Sequence, residues 1–388
     1  MRKIMARFAQ AESGSLLPIF AISLVPLMLA VGMSVDYSSA VSSKATMQSA
    51  LDAATLSLTT LPKSTSEADR TKQLQDVFAA NGGQGMAAVL PPVYDADGTL
   101  HLSASATYSM PTNFMKIATI SNVDINVQTK VVKKPSLIEA TFNVDHVSGY
   151  WGKTMYLYGT EFETSTEKVL MKIVYTYKEY KYSYKSGNKT YTAQDPKGYG
   201  TTNIYTVSGT TDTLVQSQVC TPVGQKTDFT PSATAFRSFA TATNGSSNGA
   251  TIYFKTTCVT TNSPGNSSGA KIDVSKMNQL YLLMDVPSGP VKKLKSNDTA
   301  TSDRLYIGAG YATAAEKALK PSTYAPVEVA KNKTVDIFSA VPCSQTSDQA
   351  WEDGGNAVPA DVSNADFFYS ITGKCDYNQR IAQTRITE

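Results

Sequence analysis

Residues Leu16 to Val35 are twenty consecutive residues without a charge, directly behind a short basic N-terminus carrying Arg2, Lys3 and Arg7. At 1.5 Å per residue a helix of that length crosses the roughly 30 Å hydrocarbon layer of a membrane. The positive-inside bias then keeps the first dozen residues in the cytoplasm and exports everything after Asp36. A cleaved signal peptide is the competing reading, but its apolar core runs to about 7–15 residues and ends at a small-residue cleavage site. Here the core is longer and runs on as an amphipathic helix, so a retained anchor is expected. Pro18 and Pro26 inside it are tolerated, because local readjustment and neighbouring helices satisfy the backbone groups that proline frees in a membrane helix.

Beyond the span, Met47, Leu51, Ala54 and Leu58 recur every three or four residues and share one helical face. The spacing predicts that the membrane helix continues outward by several turns. Small residues, among them Ser38, Ser39, Ala40, Ser42, Ser43 and Ala45, dominate the same stretch and permit close helix approach. Two readings are open: the stripe packs on a partner's helix, or on this chain's own next helix.

The run Glu12-Ser13-Gly14-Ser15, Pro26-Leu27, Val31-Gly32, Val35-Asp36-Tyr37, Lys44, Met47-Gln48 and Leu51-Asp52-Ala53-Ala54 resembles the N-terminal segment of TadG-like proteins. These belong to the tight-adherence (Flp) pilus assembly systems of bacteria and archaea. Gly14, Asp36, Tyr37 and Asp52 carry the anchor motif in this chain. The resemblance extends weakly to residues 99–130, where Met110-Pro111 and Phe114-Met115 look like the strand and short helix of such proteins. It implies a single-pass bacterial inner-membrane protein with its N-terminus in the cytoplasm and its head in the periplasm or at the cell surface. Pilin and other pilus-assembly proteins would be its partners through the anchor helix. The usual prepilin-peptidase context is absent, since Ile19 stands at the fifth place after Gly14.

A chain of 388 residues holds two or three domains. The expected division is a cytoplasmic tail over 1–14, the anchor and its outward extension over 15–61, a small α+β neck over 62–134, and a β-sandwich head over 135–388. In the neck, Ser64 and Glu67 suggest a capping box, Leu74, Val77 and Phe78 an apolar face, and Asn81-Gly82 a stop. After Pro135 short alternating runs separated by Gly, Asn, Ser, Thr and Pro clusters argue for an antiparallel, jelly-roll-like β-sandwich, with Ala314 to Leu319 the main helical stretch. The family's better-known members carry a von Willebrand A domain there, with an Asp-x-Ser-x-Ser metal motif. Asp145-His146-Val147-Ser148-Gly149 fails that pattern, so a different head is expected on the same anchor.

Cys220, Cys258, Cys343 and Cys375 all fall in the exported part without a Cys-x-x-Cys pair, which reads as two disulfides in an oxidising compartment. Four cysteines allow three pairings. Pairing in sequence order is expected, because both bonds would then tie neighbouring strands.

Two segments of the head are candidate ligand sites. Trp351-Glu352-Asp353-Gly354-Gly355, Asp361 and Asp366 loosely resemble the acidic loop and last strand of calcium-binding bacterial β-sandwich domains. Calcium takes six to eight oxygens at about 2.3–2.6 Å, so Glu352, Asp353 and Asp366 are candidate ligands. The same carboxylates also suit turn caps or a solvated face. Tyr180, Tyr182 and Tyr184, interleaved with Lys178, Lys181 and Lys185, are candidate contacts for an envelope or host glycan. An ordinary strand pair with lysines blunting its edge has the same texture.

Catalysis has little to stand on. The histidines are His101 and His146, and neither a Gly-x-Ser-x-Gly elbow, a His-Glu-x-x-His pair nor a phosphate loop is present. A net charge of +3 is too small to imply a nucleic-acid partner. The expectation is a non-enzymatic, membrane-anchored accessory component of a Flp-type pilus system. An envelope-anchored adhesin, or a carbohydrate- or calcium-binding module, is the alternative.

Overall fold

The computed structural model describes residues 16–164, 166–195, 199–226, 239–242, 252–263, 269–309, 327–329, 331–341, 343–354, 365–381 and 384–387. They divide into two compact units, Met1–Lys134 with Ile381–Glu388, and Pro135–Arg380. Gly14, Asp361, the Ala314 to Leu319 stretch and the polar runs 244–249 and 264–268 lie outside the described residues.

The first unit is built on one 43-residue helix, α1 (Leu16–Leu58), with Pro26 inside it. Its two ends behave differently. Phe20, Ile22, Leu27, Met28 and Val31 stand 58–74% exposed, whereas Met47, Ala50, Leu51, Ala54 and Leu58 are at most 1% exposed. The apolar stripe therefore packs on this chain's own neck, against α2 (Glu67–Ala80) and the sheet that follows. The N-cap of α2 is Ser66, whose hydroxyl accepts the Asp69 N–H at 3.1 Å, two residues beyond the expected Ser64. Three hydroxyl residues in a row, Ser64-Thr65-Ser66, offer the same side-chain chemistry, and the extended backbone at Ser66 decides among them.

The neck sheet consists of β1 (Met86–Val89), β2 (Val93–Tyr94), β3 (Leu100–Pro111), β4 (Asn122–Lys133) and β21 (Thr384–Thr387). Its order is β1-β3-β4-β21, with β2 also on β3. Leu102 faces Val131, Ala104 faces Thr129 and Ala106 faces Val127, so period-2 alternation turns one side of the hairpin onto α1. The head thus does not extend to residue 388. Its chain returns at residue 381, and Thr384–Thr387 pairs with Lys130 to Lys133 of the neck.

Two buried cations finish α1, which has no basic residue in its own last turn. Lys133 lies on the inner face of β4 and donates to the Thr59 carbonyl at 2.9 Å. Arg70 of α2 donates to the carbonyls of Pro62 at 2.7 Å, Thr65 at 3.3 Å and Leu58 at 3.5 Å. Both bond carbonyls at or just beyond the end of α1, and both place positive charge where the dipole is negative.

The second unit is an antiparallel β-sandwich. One sheet holds β6 (Lys153–Glu161), β7 (Glu167–Lys178), β10 (Tyr199–Ser208), β11 (Thr211–Lys226), β12 (Phe239–Ala242), β13 (Ile252–Asn262), β15 (Met277–Asp285) and β16 (Lys293–Lys295), in the order β12-β13-β11-β10-β7-β6-β15-β16. The other holds β5 (Ser136–Val147), β14 (Ala270–Asp273), β17 (Leu305–Ala309), β18 (Val327–Glu328), β19 (Thr346–Trp351) and β20 (Phe367–Asp376), in the order β14-β5-β20-β19-β17-β18. Inward residues of both, such as Phe142, Tyr369 and Trp351 from one and Met155, Ile173 and Leu282 from the other, form one apolar core. A hairpin of β8 (Lys181–Ser186) and β9 (Lys189–Gln194) turns through Gly187-Asn188, where Gly187 has φ +61°. The four-residue helix α3 (Ile337–Ala340) contributes Ile337 to the core.

The cysteines pair in sequence order. Cys220 and Cys258 lie directly opposite on β11 and β13, and Cys343 is bonded to Cys375 of β20.

Candidate functional site

Two residues of the anchor motif, Asp36 and Asp52, serve the attachment of the helix to the neck. Asp36 is 2% exposed, and its carboxylate accepts three backbone N–H groups from the loop between β3 and β4. These come from Asn113 at 3.1 Å, Phe114 at 2.8 Å and Met115 at 2.6 Å. One turn earlier, Gly32 is buried beneath the Phe114 ring, and a methyl group there would sit 2.5 Å from the Phe114 Cβ. Further out, the Gln48 side-chain amide donates at 2.9 Å both to Asp52 and to the Gln128 carbonyl of β4. Asp52 thereby orients a glutamine that bonds the sheet. Tyr37 does the opposite and stands 70% exposed. The partners of these residues, Asn113 to Met115 and Gln128, escaped sequence reasoning, since an acceptor's donors some 80 residues away leave no local pattern.

In the head, the ladder between β19 and β20 ends at Trp351 opposite Phe367, and brings Glu352, Asp353 and Asp366 together. One ligand oxygen from each lies within 4.8 Å of the others. Glu352 and Asp353 are each 1% exposed. Sequence reasoning missed the cation in their midst. Lys153, the first residue of β6, donates to Asp353 at 2.6 Å and to the Ser148 carbonyl at 2.9 Å, with Asp366 3.9 Å away. Its ammonium lies 5.7 Å from the centre of the Tyr175 ring, whose hydroxyl donates to the Gly149 carbonyl at 2.9 Å. Gly149 has φ +103°, and a Cβ there would stand 2.9 Å from the Lys153 Nζ, so the turn requires glycine twice over.

Burial pushes the Asp366 carboxyl up to about 8, Lys153 pulls it down, and the charges of Asp353 and Glu352 raise it again. The cluster is therefore a buried ion network with its own counter-ion, in which Asp366 holds its proton to higher pH than an ordinary carboxyl. As a calcium site the donor set fits poorly, because an ion bridging the three carboxylates would meet the Lys153 ammonium on Asp353. The signal that finds Lys153 is parity: it shares the inward face of β6 with Met155 and Leu157.

Residues 14–57 match a family model, Tad, described as "Putative Flp pilus-assembly TadE/G-like". They form a TadE/G-like segment. It coincides with α1 to within two residues at each end, and contains Gly32, Asp36, Gln48 and Asp52. No curated protein and no solved structure matches the chain. The TadE/G-like segment thus supplies all but the last residue of the helix, with its Asp36 and Gln48 attachments to the neck, while the head stands outside the match.

Away from the TadE/G-like segment, the tyrosines expected to face a glycan are turned inward. Tyr184 is 7% exposed and packs with Ala193, Ile252 and Phe254, while Tyr180 and Tyr182 are half-buried on the same small core. Tyr180 meets Phe254 edge-on with ring centres 6.2 Å apart, and Tyr182 lies over Gly224. Their rings fasten the β8–β9 hairpin to the large sheet and leave no open stacking platform. Of the histidines, His101 bonds Asp95 at 2.8 Å, and His146 bonds Asp145 at 3.1 Å and stacks on Phe368.

Proposed function

We propose that this chain is a membrane-anchored, non-catalytic component of a tight-adherence (Flp-type) pilus assembly system. The TadE/G-like helix spans the bacterial inner membrane with its N-terminus in the cytoplasm. The neck and the disulfide-tied β head stand outside, in the periplasm or at the cell surface. The observation that carries this reading is the coincidence of the family match with a helix that is apolar and exposed over its first half and clamped to a folded body over its second. An apolar face left bare in water is expensive, and a lipid bilayer removes that cost.

Ser38, Ser42, Ala45 and Ser49 recur at spacings of four, three and four on the exposed side of α1. That side suits close packing by a pilin or another assembly helix. The clamp from helix to neck through Asp36 suits a scaffold rather than a catalyst. The test is deletion of the gene, followed by electron microscopy of pili and by a surface-attachment assay, with complementation by the full chain. Loss of pili that the full chain restores is expected; pili and attachment unchanged by deletion would overturn the proposal.

A further inference from the structure

We propose that the loop between β3 and β4 is a second membrane contact, with Phe114, Ile117 and Ile120 immersed in lipid acyl chains beside the anchor. The proposal rests on the reading of α1 as a membrane anchor and adds a contact that the anchor alone does not require.

The loop is the wrong composition for a hairpin tip in water. Such tips favour Gly, Asn, Asp, Ser and Pro. Here Ile117 stands 71% exposed, Phe114 44% and Ile120 39%, within seven residues of one another. A single exposed apolar residue needs no explanation, but three on one tip do.

The clamp fixes where that tip lies. Asp36 is the first charge after the uncharged span, and it holds the N–H groups of Asn113, Phe114 and Met115. Phe114 rests on Gly32, which lies four residues, or about 6 Å, further toward the apolar end of the helix. Phe114 and Ile117 therefore run alongside the span rather than beyond it. Between them and Leu24, Leu27 and Val31 lies an open groove of about 670 Å³, with Ser23 the one polar residue of its lining among the described residues. Apolar groups at a bilayer surface insert about 5–10 Å, the depth this geometry gives.

The flanking residues agree. Tyr37, next to the clamp, is 70% exposed at the position where interfacial aromatic rings sit. Lys116, exposed between Phe114 and Ile117, has the aliphatic stem that lets an ammonium reach headgroups from an apolar setting. The occupant of the groove is a lipid acyl chain, since the same groove surface continues into the lipid-facing side of the anchor.

The experiment uses the full chain reconstituted into vesicles of phosphatidylethanolamine and phosphatidylglycerol carrying a nitroxide high on the acyl chain. The described cysteines are all in disulfides, so a single introduced thiol takes a fluorescent label selectively. Ile117→Cys probes the tip, Leu27→Cys the anchor, and Ser64→Cys a solvent-exposed position of the neck. The label at Ile117 is expected to lose on the order of half its emission, as at Leu27, while Ser64 stays bright. Quenching at Leu27 without quenching at Ile117 overturns the proposal, leaves the anchor standing, and gives the tip to a protein partner. Absence of quenching at Leu27 removes the anchor reading and the proposal with it.

Discussion

Gly32 and Phe114 are packed so closely that the first carbon of any side chain at position 32 would lie within 3 Å of three Phe114 atoms. The contact is set by Asp36 one turn on, which holds the backbone of the same loop. Gly32→Leu is therefore expected to lift the loop by steric displacement, and Asp36→Ala by leaving three N–H groups without their acceptor. An unmet buried hydrogen bond costs about 1–3 kcal/mol, so trypsin should cut after Lys116 about tenfold faster in either variant. A rate equal to that of the parent protein would contradict the clamp.

Lys133 gives the neck a pH signature. Burial lowers its ammonium from the ordinary 10.5 to about 8. Between those values the unfolded chain binds more protons than the folded one, so stability rises with pH across the window. The gain is about 3 kcal/mol in total, complete by about pH 10.5, and absent from Lys133→Met. Urea melts of both proteins from about pH 7 to 10 test it; parallel curves for the two would refute the assignment.

The head carries the opposite slope. The folded-state Asp366 holds its proton up to about 8, whereas the unfolded side chain releases it near 3.8. Stability should therefore fall as pH climbs through that window, and Asp366→Asn should flatten the fall. Lys153→Met, which strands the buried Asp353 carboxylate, should cost about 3–5 kcal/mol at neutral pH. With Lys153 as the resident cation, millimolar calcium leaves the melting temperature of the native protein unchanged. A rise of several degrees would mean that the ion displaces the ammonium.

The disulfides close loops with sequence separations of 38 and 32 residues. Chain-entropy arguments assign about 3–4 kcal/mol to each, so reductant should lower the urea midpoint of the head in two additive steps seen in Cys220→Ser and Cys343→Ser. Peptide mapping under non-reducing conditions checks the partners, and any crossed pair would contradict the strand register of β11 and β13.

What the sequence revealed depended on whether the signal was local. The long first helix was legible because an uncharged run of the right length and a three-four stripe through Met47, Leu51, Ala54 and Leu58 need no distant partner. The carboxylates of the head were legible as a group, yet Lys153 was not. It pairs with Asp353 from 200 residues away, and a buried lysine betrays itself only by standing at an inward position of an alternating strand. For Tyr180, Tyr182 and Tyr184 the shared parity was legible, while the coverage of that face by Ile252 and Phe254 depends on a long-range register. Thr384–Thr387 reads from sequence as part of the head for the same reason, since a four-residue strand carries too little pattern to name its neighbour.

The central claim is that the TadE/G-like helix remains in the membrane and carries the β head. Cell fractionation with alkaline extraction, followed by intact mass of the recovered protein, tests it most directly. The account predicts a chain that stays with the extracted membranes, retains residues 16 to 36, and has its four cysteines oxidised. A soluble protein in the culture medium, cut beyond Ala40, would contradict it.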